Sequence, residues 1–154
     1  MEPAKAGIIS GLVAGLVTTG VMIAGRRSGL LGKTLDRDAV DWIDRTTGSR
    51  AVIGDTGTSL VEFANHLGAS AVFGYGYSRL RAAAPDTPAW LLGAGYGTVL
   101  YLVNIAGIAP LLGITEGERR AGPRKAAERW GVHVLQAVVT AIMADRLSRE
   151  RRGA

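Results

Sequence analysis

From residue 6 to residue 25 the chain reads AGIISGLVAGLVTTGVMIAG, without a single charge. As a helix, a run of that length extends about 30 Å, the thickness of a bilayer's hydrocarbon core. The rest of the chain is not apolar: 20% of its 154 residues are Asp, Glu, Lys or Arg, so the charges are segregated rather than scattered. A second charge-free stretch, residues 87–115, is long enough to cross with some tilt. Residues 56–78 hold one formal charge, Glu62, together with Asn65 and His66. Residues 130–144 are uncharged but short, and span only with flanks in which Arg129 and Arg146 snorkel to the headgroups.

The expectation is an all-α fold: an integral membrane four-helix bundle forming one polytopic domain over 1–154. Its spans are predicted at 7–25, 58–78, 89–113 and 127–147. A rival reading makes the two polar segments soluble or interfacial helices beside a two-helix anchor. Gly68, Gly74, Gly76 and Gly131 argue for spans, since glycine weakens a helix in water and is commoner in membrane helices. The first segment reads as an uncleaved span. Its leading MEPAK is nearly neutral, and no convincing cleavage site precedes Gly25-Arg26-Arg27.

The first connection, residues 26–55, contains LDRDAVDWIDRTTG. It places Leu35, Ala39, Val40, Ile43 and Thr47 near one helical face and Asp36, Asp41, Asp44 and Arg45 around the others, a short amphipathic helix. With Trp42 it could lie on the membrane surface, or serve as a solvated connection. The stretches 46–49 and 54–57 read as turns. The connections after spans one and three hold eleven Lys and Arg, and the opposite side holds seven. That count puts both termini outside, while the Arg-rich tail argues the other way, so orientation stays open. The net charge of +5 reads as topology and contact with anionic lipid, with no basic domain for nucleic acid.

Gly7, Gly11 and Gly15 form two consecutive G-x-x-x-G units on one face of the first span, and Gly93 and Gly97 repeat the spacing in the third. Small residues so spaced let helix backbones approach closely. The polar residues follow faces too. Glu62, His66 and Ser70 lie four residues apart with Asn65 adjoining, and His133, Gln136 and Thr140 lie along one side of the last span. Asn104 lies in the third span, Thr18 and Thr19 in the first. Alternating span direction puts these groups in one half of the membrane, facing the loops after spans one and three. Ionisable groups in lipid cost about 2.5–3.5 kcal/mol, so Glu62, Asn65, His66, Asn104, His133 and Gln136 are expected to face inward as one polar cluster. A contact from the second span to the fourth is expected, with Glu62 protonated or paired with a histidine. The cluster can be read as a structural network, as a proton or ion path, or as a metal or haem site. The last has no motif behind it and only two histidines to draw on.

The Gly-rich GIISGLVAGLVTTGVM, the ANHLGASAVFGYGYSRLR of the second span, WLLGAGYGTVLYLVNIAGIAPLLG and WGVHVLQAVV together resemble the YagU-like family of small bacterial inner-membrane proteins. The resemblance implies a multi-pass four-helix protein of the cell inner membrane and supplies no substrate. With no cysteine, no nucleophile–base pair and no metal motif, the residues point to no catalytic role, no metal and no cofactor. The reading is a structural or accessory membrane protein that works in the lipid bilayer as a homo-oligomer or as a subunit of a larger complex. The alternative is a small transporter or proton-linked protein using the Glu and His layer.

Overall fold

Pro3 lies in the first turn of a helix, where a missing N–H removes no bond. It opens α1 (Pro3–Arg27) in the computed structural model, which describes residues 2–149. The amphipathic segment forms α2 (Leu35–Thr47), started by Thr34, whose side chain accepts from the Arg37 N–H. Then follow α3 (Ser49–Ala83), α4 (Ala89–Leu111), the short α5 (Glu118–Ala121) and α6 (Pro123–Arg149). Among the described residues there is no strand. By length and composition α1 and α4 could each cross a membrane, whereas α3 and α6 are as long but more polar.

α1 and α4 end in the same way. After α1, Gly29 has φ 72°, Leu30 N–H donates to the Gly25 carbonyl and Gly29 N–H to that of Arg26. After α4, Gly113 has φ 72°, with Ile114 donating to Ala109 and Gly113 to Pro110. This paired bonding satisfies carbonyls that a helix end would otherwise leave open, and glycine alone takes the left-handed position without steric penalty. The two turns lie at one end of the molecule. Pro110 shapes α4 further: it has no N–H to give, and its ring crowds the carbonyl four residues back. Over Tyr101–Ile108 the helix widens to π geometry, with Ala109 N–H donating to the Asn104 carbonyl.

Two expected turns resolve differently. The chain breaks at Gly48, but residues 49–53 are already helical, and the second turn survives only as a kink at Gly54 inside α3. α3 therefore starts well before the predicted residue 58 and runs past 78, its first turn tied to α2 by Arg50, which meets Asp41 and Asp44, while residues 51–56 stay exposed.

α1 packs along α3 and α6, and α4 packs along α6. The first pair is built on absent side chains. A Cβ on Gly11 would fall 2.9 Å from the Gly74 Cα, and one on Gly15 would lie 2.9 Å from the Ser70 Cβ. A Cβ on Gly7 would strike the Gly74 carbonyl. The second pair works alike: a Cβ on Gly97 would lie 2.7 Å from the His133 carbonyl and one on Gly93 2.9 Å from that of Ala137. Much of what is buried is accordingly small, Ala6, Ser10, Ala14, Thr18, Ser70, Ala137, Thr140 and Ala141 among them, with Tyr77 and Ile105 the bulky exceptions. What is outside is large and apolar. Leu16, Val72, Val99 and Leu102 are 53%, 66%, 54% and 54% exposed, while Ala14 and Ala141 are fully covered.

At the end formed by the α1 N-terminus and the α3 C-terminus, Tyr77, Ala141 and Ala144 pack with Ala89, Leu92 and Tyr96. Tyr96 donates to the Phe73 carbonyl at 2.9 Å, and Arg81 pairs with Asp145 at 2.9 Å. That end is closed.

The backbone contact sets a clear expectation. Gly11→Leu should lower stability by about 1–3 kcal/mol or more, as overpacking does. Gly20→Leu, whose Cβ meets nothing within 4 Å, should be neutral. Unfolding midpoints of the two variants in one detergent decide; equal midpoints would contradict the close α1–α3 contact.

Candidate functional site

The opposite end opens into a cavity of about 260 Å³ between α3 and α6. Its walls are His66, Ala69 and Phe73 of α3 and Lys125, Arg129, Val132 and His133 of α6, and Asn104 joins them from the widened segment of α4. Ser70 and Gln136 close the floor, where the Gln136 amide donates to Ser70 Oγ at 2.8 Å and so joins α6 to α3. Ser70 in turn donates to the His66 carbonyl at 2.7 Å. The roof is the strap of residues 31–34 together with Leu35 and Asp36, which open α2.

His66 is the best-fixed group here. Nε2 lies 3.0 Å from the Gly15 carbonyl and Nδ1 lies 3.0 Å from the Asp36 carboxylate. Thr18 Oγ1, at 3.5 Å from Nε2, spends its own proton on the Ala14 and Gly15 carbonyls and offers the ring only an acceptor. A ring with acceptors at both nitrogens is satisfied only with a proton on each. The arrangement therefore fits an imidazolium paired with Asp36. It depends on the close α1–α3 approach, because only a bare glycine turn brings the Gly15 carbonyl within reach.

A second cavity, about 170 Å³, lies on the other side of this pair, and Met22, Thr34, Asp36 and His66 line both. Glu62 belongs to the second one, where it meets Arg37 Nη1 at 3.4 Å and Thr34 Oγ1 at 3.5 Å. Neither expected state of Glu62 follows from this geometry, since its partner is an arginine from α2 rather than a histidine.

Of the six residues expected to cluster, His66, Asn104, His133 and Gln136 line the larger cavity, and Glu62 faces the neighbouring one. Asn65 stands apart: it is exposed, one helical step away from His66 on the outer surface of α3. A residue adjoining a buried one on a helix is turned by about 100° and need not share its face. His133 donates from Nδ1 to the Arg129 carbonyl at 2.8 Å and stands edge-on to Tyr101. The Asn104 amide donates to the Leu100 carbonyl at 3.0 Å. The glycines 7, 11, 15, 93 and 97 all lie at helix contacts inside the one chain. With both its nitrogens engaged, His66 has no lone pair for a metal, and no group of three or more His, Cys, Asp or Glu suited to a metal occurs among the described residues.

The sequence reading missed the charges that close the mouth. It set the acids of α2 toward solvent or the membrane surface, whereas three of them turn onto the bundle. Asp36 meets His66 of α3. Asp38 accepts from Arg129 Nη2 of α6 at 3.2 Å and from Lys33 at 2.9 Å. Asp41 binds Lys33 at 2.8 Å and Arg50 at 2.6 Å. Arg129, buried, also donates to Glu118 of α5 at 2.6 Å, and Glu118 accepts from the Tyr101 hydroxyl at 2.8 Å. The available signal was the density of aspartates in α2 against the basic start of α6. Spacing within one helix does not reveal a partner on another.

The Lys33 ammonium and the Arg50 guanidinium hold the Asp41 carboxyl down at about 2, below its ordinary 3.8, and Asp41 raises both cations in return. Because the folded value is depressed, the stabilisation is full above 3.8 and disappears as pH falls through about 2. Asp41→Asn should therefore be less stable than the parent at neutral pH, and the difference should close on acidification through that window. A pH series of unfolding midpoints for both proteins checks this; a constant difference would refute the assignment.

Comparison with protein-family models, with curated protein sequences and with solved structures finds no match to this chain.

Proposed function

We propose that this chain is a multi-pass protein of the bacterial inner membrane, with α1, α3, α4 and α6 crossing the bilayer, and that it acts as a small structural or accessory membrane protein rather than an enzyme. One observation carries the reading: the inverted distribution of side chains. Small and polar residues make up most of the interior, while leucines, valines, isoleucines and aromatics cover the outside of α1, α3 and α4, and Trp130 and Ile142 stand outward on α6. In water such a surface would be a large aggregation-prone patch. In lipid it is the favourable arrangement, because helices there associate through small residues at close approach. The resemblance to the YagU-like family belongs to the same proposal.

The glycines bear on how such a protein would associate. Gly7, Gly11, Gly15, Gly93 and Gly97 are used between helices of one chain, so a homo-oligomer or a larger complex would form through the outer apolar faces instead. A transport role has support in the buried His66–Asp36 pair between two cavities. The tight packing around Tyr77 at the other end weighs against a continuous path. The excess of Lys and Arg around the cavity mouth orients that end toward the cytoplasm.

Topology is directly testable, since the chain has no cysteine of its own. Single cysteines at Thr46, Asp86 and Arg119, probed with a membrane-impermeant maleimide on intact cells and after lysis, give different patterns for each reading. Four crossings put Thr46 and Arg119 on one side and Asp86 on the other. Crossings by α1 and α4 alone would put Thr46 with Asp86 and leave Arg119 opposite, and that pattern would overturn the proposal.

A further inference from the structure

We propose that the larger cavity seats the phosphate-bearing head group of an anionic lipid, with the acyl chains left outside in the bilayer. The inference rests on the bilayer reading above and adds a ligand class to it. The lining is divided chemically. Leu31, Leu35, Phe73 and Val132 supply apolar wall, while Lys125 and Arg129 supply cations.

The unspent donors are what select an anionic ligand. Each lining carboxylate is already engaged: Asp36 with His66, and Glu128 with Arg124 at 3.1 Å and with the Gly32 N–H at 3.2 Å. Lys33 is held by Asp38 and Asp41. Lys125 has no ion pair among the described residues, and it lines the cavity. Arg129 is only 9% exposed, and although its two terminal nitrogens bind Asp38 and Glu118, its Nε is buried without an acceptor among the described residues. A phosphate oxygen at the cationic wall answers Lys125, with the positive charge of Arg129 beside it.

Size and position select a lipid over a free ion. At about 260 Å³ the cavity is smaller than the sites that engulf whole drug-sized ligands, so it takes a head group and no more than the first carbons of the chains. A free, fully hydrated phosphate gains nothing from the apolar wall. A glycerophosphate with the start of its acyl chains covers that wall and keeps its charge at the cationic side. The mouth of the cavity, at Lys125 and residues 31–34, lies at the end where α1 and α4 exit, and its floor at Ser70 and Gln136 reaches inward toward the middle of the spans.

The test uses the detergent-purified full chain and follows its unfolding midpoint during titration with dihexanoyl phosphatidylglycerol, and separately with inorganic phosphate. The expected result is a saturable rise with the lipid and none with phosphate. Lys125→Ala should weaken the lipid response about tenfold, the loss of one charge-assisted bond, while Lys125→Arg retains it. Ala69→Leu, which fills the cavity from the α3 wall, should abolish the response. A chain that gives no saturable response to the lipid, an equal response to inorganic phosphate, or an unchanged response in both Lys125→Ala and Ala69→Leu would overturn the assignment. Release of the chain from membranes by detergent alone is scored beforehand and reports on the bilayer reading, so the two failures remain distinct.

Discussion

The approach of α1 to α3 is the contact on which the rest of the molecule depends. Gly7 and Gly11 meet Gly74 backbone to backbone, and Gly15 lies over Ser70. At that separation dispersion and weak C–H···O contacts accumulate along both helices, and no side chain is needed to fill the space between them. Two consequences follow. Bulky residues have no place at this contact, and most are displaced to the outer surface. The Gly15 carbonyl is also brought into reach of His66, so the same small residues that set the packing create the ring's second acceptor.

The open end of the bundle is governed by a different force. There the helices are tied by charge: α2 reaches α3 through Asp36 and Arg37 and α6 through Asp38, while α5 reaches α6 through Glu118. Arg129 gathers two carboxylates from separate elements while almost fully buried. A buried guanidinium is stabilising only when its donors are met, and removing one partner leaves an uncompensated charge. This network holds the roof over the cavity. It also explains why the strap of residues 31–34 takes a defined course despite having no helix of its own. The other end relies on apolar packing around Tyr77, with the Arg81–Asp145 pair beside it, so the two ends differ in what would loosen them.

Much of this was legible without coordinates because the deciding signals are local. A charge-free run of helical length, glycines four residues apart, and a helix broken at Gly48 are properties of contiguous sequence. So was α2, whose amphipathic spacing from Leu35 lies within one short segment, while its start at Thr34 emerged only from the structure. The widening of α4 was foreshadowed only by Pro110, since a proline can bend, break or widen a helix according to what surrounds it. Asn65 shows the limit from the other side. Its place beside His66 in sequence says nothing of its facing, which the rotation of one residue along α3 carried outward.

The sequence by itself determined the helices, their small-residue faces and the half of the bundle in which the polar groups lie. All three follow from periodicity and rise per residue. Only the tertiary structure decided the partners. Glu62 goes to Arg37 and His66 to Asp36 because α2 folds back over the mouth, a choice made by the course of residues 28–34 and not by any spacing within a span. Long-range pairing of charges depends on which elements meet, and that is a property of the packed molecule alone.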